Sequence, residues 1–120
     1  MKRDMNLIRK LLLIINEHEH GYAPKNIEIE GFSEEQIGYH ALLLGEAGLI
    51  EAKPLKSYDS ESPTAIPIRL TWSGHEFIEN AQNEKVWSQA KEAVAKVGDV
   101  SFSVWGTVLS QIVLRNLGMG

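Results

Sequence analysis

The amino-acid sequence predicts an α+β fold, in which amphipathic helices surround a small antiparallel sheet. Apolar residues recur at helical spacing through several segments, whereas two short central segments have the pattern of strands. A polar, turn-rich stretch separates those two segments, as expected for a hairpin. The chain has 120 residues, which is enough for one domain. We therefore expect a single domain, with a core over residues 1–82 and a helical extension over residues 83–120.

The composition narrows the classes of function. The chain has no cysteine, which excludes a disulfide framework and a thiolate metal site and favours a reducing compartment. Its formal net charge of -4 opposes non-specific attraction to a polyanion. Arg9 and Lys10 interrupt the first apolar run before a signal-peptide core can form. Residues 100–120 contain too many polar residues for a membrane span. We expect a cytoplasmic protein without a membrane segment.

The first third of the sequence predicts one helix and one short strand. Asp4 is a suitable N-cap for a helix over residues 4–18, and Gly21 is expected to stop it. Apolar residues form one face of this helix: Ile8, Leu11, Leu12 and Ile15. Residues 27–30 alternate isoleucine with glutamate, which predicts a half-buried strand that closes at Gly31.

The strongest local signal is a capping box at residues 33–36, in which Ser33 and Gln36 can each bond to the other's backbone amide. A helix is expected from there to Gly48, a suitable left-handed C-terminal residue. Two strands should follow, over residues 50–55 and 66–70, with Ile66, Ile68 and Leu70 on one face and Arg69 on the other. Pro54 and Pro67 mark both as edge strands, and residues 56–64 read as a flexible loop.

Three helices are predicted after the hairpin. Thr71 caps the first, a second covers residues 84–97 and ends at Gly98, and the third starts at Ser101 or Ser103. The inward residues predicted for the first two are Gly74, Phe77, Ile78, Ala81, Trp87, Ala90, Val94 and Val97. Those predicted for the third are Val104, Trp105, Val108, Leu109, Ile112, Val113 and Leu117.

Two sequence pieces carry a resemblance to a known superfamily. At Ala47-Gly48-Leu49-Ile50 a predicted helix ends and a strand begins. At residues 70–74 the Leu-Thr-x-x-Gly pattern marks the end of a strand and the start of a helix. In this order of elements, both pieces resemble the winged-helix superfamily. The resemblance implies a winged-helix-like domain with a small antiparallel sheet, here followed by two additional C-terminal helices.

Nearly the whole chain also resembles a bacterial and phage-associated family that is known as a domain of unknown function. The segments that carry this resemblance are residues 1–15, 39–40, 46–51, 69–78 and 86–87. It implies an architecture and brings no activity, cofactor or substrate.

The chain departs from ordinary winged-helix domains in one feature that matters for function. A helix-turn-helix needs a supporting helix directly before its recognition helix, and only residues 31–33 separate the predicted strand from the Ser33 helix.

One functional hypothesis is a DNA-binding regulator that reads base edges with the Ser33 helix, chiefly through Gln36 and Tyr39, with Glu35, Leu42 and Glu46 on the same face. Lys53 and Lys56 at the hairpin would then bind phosphates, helped by Lys2, Arg3, Arg9 and Lys10. The acidic character of residues 33–50, with three acids and no Lys or Arg, opposes this hypothesis. The alternative is that these cations are ordinary solvated surface.

The second hypothesis is a protein-interaction module that uses the same fold and makes its contacts through Tyr39 and Leu42 or through the last helix. The last helix is rich in large apolar residues, and Trp105, Leu109 and Ile112 are candidates for a homodimer interface. The alternative for this helix is that it folds back onto the first and fourth helices of its own chain. Both remain open from sequence alone.

Residue patterns for catalysis and metal binding are weak. His18 and His20 flank Glu19, but residues two apart do not face each other on a helix, so a metal site is not expected. His40 is expected to be a packed histidine that bonds to a backbone carbonyl. Ser73, His75 and Glu76 are too close in sequence to form a relay, and the glycines at 45, 48, 74 and 98 are assigned to caps and close contacts. We expect no enzymatic activity, no cofactor and no small-molecule substrate.

Overall fold

The computed structural model of the chain describes residues 1–56 and 60–119, and it confirms the α+β class. The described residues form five helices and one antiparallel sheet of two strands. In chain order the elements are α1 (Met5–Glu17), α2 (Glu34–Glu46), β1 (Ile50–Leu55), β2 (Thr64–Leu70), α3 (Trp72–Ala81), α4 (Glu84–Ala95) and α5 (Phe102–Asn116).

The chain divides into two compact units, Met1–Ile78 and Glu79–Gly120. The first contains α1, α2, the sheet and most of α3, and the second contains α4 and α5. This division lies a few residues before the predicted boundary between core and extension. The prediction of a single domain stays a prediction.

Helix α1 begins as predicted, because the Asp4 side chain accepts hydrogen bonds from the amides of Asn6 and Leu7. It ends earlier than predicted. Glu17 is its last residue and His18 is an extended C-cap, so Gly21 does not terminate the helix. The predicted apolar face is confirmed, and its buried residues are Leu7, Ile8, Leu11, Leu12 and Ile15.

The prediction of a strand over residues 27–30 is wrong. Residues 18–33 contain neither a helix nor a named strand, and their one β-bridge pairs Tyr22 with Arg69. The amide of Ala23 also donates to the carbonyl of Ile68 at 2.8 Å. The outer side of β2 is therefore partly paired by residues that precede the predicted strand, and the alternating isoleucines are only half-buried in a loop. The same segment confirms that no helix directly precedes α2.

The capping box of α2 is confirmed in full. The Gln36 amide donates to the Ser33 hydroxyl at 3.1 Å, and the Ser33 amide donates to the Gln36 side-chain oxygen at 2.8 Å. At the other end Gly48 has φ 79°, the left-handed conformation that glycine adopts without strain. The chain then enters β1 directly.

The sheet is a hairpin whose register shifts at one point. Ile50 pairs with Leu70 and Glu51 with Arg69, but Ala52 pairs with Pro67, which leaves Ile68 as the extra residue of a β-bulge. The bulge lets Ala65 and Leu70 both be buried although they are five positions apart, which in a regular strand places them on opposite faces. The predicted face of Ile66, Ile68 and Leu70 is consequently wrong, since Ile66 is 45% exposed. Residues 57–59, in the middle of the predicted flexible loop, lie outside the described residues.

The two sequence pieces that suggested the superfamily meet at one joint. The Thr71 hydroxyl donates to the Gly48 carbonyl at 2.6 Å, and the Thr71 amide donates to the Leu49 carbonyl at 3.0 Å. The same hydroxyl accepts from the Gly74 amide, which caps α3. A Cβ on Gly74 would overlap the Leu49 carbonyl oxygen, so only glycine lets α3 start this close to the α2–β1 corner.

In the second unit, α4 and α5 pack around a pair of tryptophans. The rings of Trp87 and Trp105 are stacked with centroids 5.1 Å apart, and both side chains are buried. Asn83 and Ser101 are the N-caps, and Gly98 has φ 92°. The prediction that α4 extends to Val97 is wrong. This helix ends at Ala95, and Val97 is 77% exposed.

Candidate functional site

Helix α2 has one side buried against α1. Its buried residues lie on one face: Ile37, His40, Ala41 and Leu44. His40 is only 1% exposed, and both ring nitrogens are bonded. Its Nδ1 donates to the Gln36 carbonyl at 2.8 Å, and its Nε2 accepts from the Asp4 amide at 2.8 Å. This confirms the predicted packed histidine and joins α2 to the start of α1.

A second side of α2 is covered by the hairpin through two glycines. Gly38 and Gly45 are two helical turns apart and therefore lie on the same face. A Cβ on Gly38 would come within 2.9 Å of the Thr64 side chain, and one on Gly45 would lie 3.0 Å from the Ala52 Cβ. The absence of side chains at these positions lets the hairpin lie directly against the helix.

The third side of α2 is open to solvent and has a distinct chemistry. Residues 35, 39, 42 and 46 recur at alternating spacings of four and three, which places them in one line along the helix. We call this line the α2 stripe; it consists of Glu35, Tyr39, Leu42 and Glu46. Glu46 is exposed and the other three are half-buried. The stripe therefore presents two apolar or aromatic side chains between two carboxylates.

A groove adjoins the C-terminal half of the α2 stripe, Leu42 and Glu46, and lies between α2 and the hairpin. Its volume is about 560 Å³. Its lining combines mainly apolar residues with two acids: Leu42, Gly45, Glu46, Ile50, Glu51, Ala52, Pro54 and Ile68. No Lys or Arg is among these lining residues. Gly45 and Ala52, which bring the hairpin against α2, both belong to this lining.

Two polar contacts fix the edges of this surface. The Ser62 hydroxyl donates to the Glu35 carboxylate, which ties the hairpin loop to the first turn of α2. At the other end, Glu51 and Arg69 form an ion pair at 2.7 Å, with each side chain about half exposed. Glu51 is thus partly neutralised by Arg69, whereas no such ion pair is found for Glu46 among the described residues. Glu46 is the principal negative charge at the groove.

Comparison with known proteins places the chain in a family. Residues 2–100 match the family described as Hypothetical protein (DUF2513). The chain belongs to the DUF2513 family. A relative from Haemophilus influenzae, named "Uncharacterized protein", is 36% identical over 121 residues, which cover 98% of this chain and 99% of the relative. No solved structure matches the chain. The predicted membership of a family of unknown function is confirmed, and the winged-helix resemblance stays a prediction.

The residues predicted to bind nucleic acid lie on α2 and on or directly after β1 of this DUF2513 chain. Tyr39 lies on the α2 stripe, whereas the Gln36 side chain is engaged in the capping box. Ala52 faces α2, so the next residue, Lys53, points to the opposite face of the sheet, beside the exposed Ile66. Lys56 is exposed directly after β1, next to the undescribed residues 57–59. Their role in nucleic-acid binding stays a prediction.

The residues predicted to form a dimer interface are buried within the single chain. Trp105, Leu109 and Ile112 are 6%, 1% and 5% exposed. The exposed large apolar residues from α5 onward are instead Val104, Leu114, Leu117 and Met119. Of the predicted inward face, Val104 and Leu117 are therefore on the surface. The dimer itself stays a prediction.

The histidines at the end of α1 are closer together than predicted. The rings of His18 and His20 are 4.3 Å apart in an edge-to-face arrangement, because the helix has ended at Glu17 and helical spacing no longer applies. The described residues contain no group of three His, Asp or Glu side chains placed to hold a metal ion. Within the same residues, no helix has both the length and the apolar character needed to cross a bilayer.

Helical spacing predicted the residues of the α2 stripe, but the groove was not predicted. Gly45 was assigned to a cap or close contact without a named partner, and Gly38 had no predicted role. The available signal was the spacing of seven residues between the two glycines, which places both on one helical face. That spacing alone does not say which element lies opposite, so the groove became visible only with the hairpin in place.

Proposed function

We propose that the protein is a non-enzymatic protein-binding module, built on a winged-helix-like scaffold, that binds its partner through the α2 stripe and the adjoining groove. The observation that carries this proposal is the chemistry of that surface. Apolar and aromatic side chains lie between carboxylates, and α2 contains no Lys or Arg. Exposed apolar grooves bordered by polar groups are typical of protein-binding sites.

The surroundings of α2 support two parts of this proposal. They favour a winged-helix-like scaffold, and they disfavour the reading of DNA bases by α2. The hairpin follows α2 as a wing does, and residues 22–23 pair with β2 as a further strand segment. A groove-reading helix, however, needs a supporting helix before it, and residues 18–33 contain none. Glu35 and Glu46 would also bring negative charge towards phosphates.

Photo-cross-linking tests the protein-binding proposal directly. A benzophenone amino acid replaces Tyr39 in the full chain, which is expressed in its native cell, and a matched variant carries the same group at the exposed Glu92 of α4. We expect a discrete protein adduct from position 39 and none from position 92. Equal labelling at both positions, or no protein adduct from position 39, would contradict the proposal.

A DNA-binding regulator is the competing function, and the exposed Lys53 and Lys56 are the observation that favours it. Fluorescence anisotropy with a mixed-sequence duplex at about 50 mM and about 200 mM salt separates the two, because even non-specific binding appears at low salt. We expect no binding at either concentration. Binding that weakens with salt, and weakens further in Lys53→Glu/Lys56→Glu but not in Lys85→Glu/Lys91→Glu, would establish the regulator instead.

The cellular location follows the same proposal. The chain lacks cysteine, which suits a reducing compartment, and the cytoplasm of a bacterium or of a phage-infected cell is the location we propose.

A further inference from the structure

We infer that the partner segment bound at the groove is basic and apolar: a peptide that places Lys or Arg beside Glu46 and apolar side chains over Leu42, Ala52 and Pro54. This inference rests on the proposed protein-binding function and names the chemistry of the partner. It is carried by the shape of the groove and by the charges at its edge.

The floor of the groove selects apolar groups. Ile50 is buried beneath it, while Leu42, Ala52 and Ile68 are half-buried and Pro54 is exposed. None of these side chains offers a hydrogen-bond donor or acceptor. A partner gains most here by covering apolar surface, since burial stabilises in proportion to the apolar area removed from water.

The edge of the groove selects positive charge. Glu46 is exposed at the last position of α2, and Glu51 stands on the β1 side. Glu35 at the other end of the α2 stripe is also negative, and residues 33–50 contain no Lys or Arg. A basic segment would be attracted chiefly by Glu46, because Arg69 partly neutralises Glu51, whereas an acidic segment or a nucleic-acid backbone would be repelled.

Of the two carboxylates at this edge, Glu46 keeps its charge uncompensated by the other residues that line the groove. Arg69 is engaged by Glu51 and also donates to the Leu70 carbonyl at 2.8 Å. Lys53 points to the other face of the sheet, because Ala52 faces α2 and successive strand residues alternate. Glu46 therefore acts on an incoming partner without a neutralising neighbour among the residues that line the groove.

The experiment is a selection of peptides by the full chain. Immobilised protein is used as bait for a phage-displayed library of random twelve-residue peptides, and one enriched peptide is then synthesised with a fluorophore as the probe. We expect the enriched sequences to combine Lys or Arg with two or more large apolar residues, and the affinity of the probe to fall as salt rises.

Charge reversal at the edge identifies the site. Glu46→Lys is expected to weaken the probe by about tenfold or more, and Glu46→Gln by less, because the attraction changes sign in one and is only removed in the other. Both variants should fold, since a cation at a helix C-terminus is favourable and Glu46 is exposed. Glu92→Lys, an exposed glutamate of α4, is the matched control and should change affinity by less than about twofold.

Three outcomes would overturn the inference. They are enrichment of acidic or uncharged peptides, absence of any enriched peptide, and equal loss of affinity in Glu46→Lys and Glu92→Lys. The Tyr39 cross-link keeps these failures separate from failure of the proposed function. A protein adduct at position 39 without basic peptides would leave a protein-binding module whose partner has another chemistry, whereas absence of both would remove the module itself.

Discussion

Residues 1–78 combine an aliphatic core with joints where backbones meet at close range, whereas the unit from Glu79 onward is centred on two large aromatic side chains. In the first unit, glycines at 38, 45 and 74 let a helix or a corner come into contact with another element, and Thr71 and His40 bond to main-chain atoms. In the second, the stacked rings of Trp87 and Trp105 fill the space between two helices. A backbone joint tolerates little change in any residue, while a side-chain core depends on a few large ones.

The largest expected effect is in the side-chain core. Trp105→Ala should lower the free energy of unfolding by about 3–5 kcal/mol, because it removes a buried ring and the stack with Trp87. Urea denaturation followed by circular dichroism measures this loss. Trp72 is 80% exposed, so Trp72→Ala is the matched control and should change stability by less than about 0.5 kcal/mol. Similar losses in the two variants would remove the distinction between the units.

The second effect tests the joint at the start of α3. Gly74→Ala should cost about 3 kcal/mol, because the new Cβ would overlap the Leu49 carbonyl oxygen. At Gly106, inside α5, an added Cβ would have none of the surrounding atoms within 4 Å. Gly106→Ala should therefore stabilise the protein by up to about 1 kcal/mol, as alanine does in helices. Urea titration measures both changes in the free energy of unfolding. Opposite signs for Gly74→Ala and Gly106→Ala would show that glycine has different roles in the two units.

A smaller effect is expected where the hairpin lies on α2. Gly45→Ala should cost about 1 kcal/mol, since the clash with the Ala52 Cβ exceeds the helical preference for alanine. A double-mutant cycle with Ala52→Gly tests the contact itself. The loss in the double variant should be smaller than the sum of the two single losses, and strict additivity would mean that the two positions do not touch.

An effect of similar size is expected at the start of α2. Ser33→Ala removes the hydroxyl that accepts from the Gln36 amide and should cost about 1 kcal/mol. Ser33→Asp retains an acceptor and should restore most of this stability. If the aspartate variant were as unstable as the alanine variant, the capping bond would not be the source of the effect.

Elements whose ends are set by their own residues were predictable from the sequence. Ser33, Thr71 and Gly48 marked α2 and α3 because caps and left-handed glycines act within a few residues. Features that depend on distant partners were not. Residues 27–30 have the alternation of a strand, yet residues 22–23 take the place beside β2, and nothing in a local pattern decides between them.

The candidate site also contains one feature that local sequence predicts and one that it does not. The α2 stripe follows from helical spacing and was visible in the sequence. The groove depends on where the hairpin lies, and the bulge at Ile68 also changes which side chains face inward, so neither was visible. For α5, hydrophobicity alone did not distinguish the buried Trp105 from the exposed Leu117.

Pro54 limits how any partner can occupy this groove. It lies in β1, beside Glu46 in the groove lining, and its ring nitrogen carries no hydrogen to offer an added strand. Pro67 has the same deficiency across the hairpin. Extension of the sheet by a foreign chain is thereby discouraged, both for a natural ligand and for fibril-like self-association. Recognition at this groove is therefore expected to depend on side-chain contacts and not on an added strand. The fit of individual partner side chains in the groove would then determine sequence selectivity.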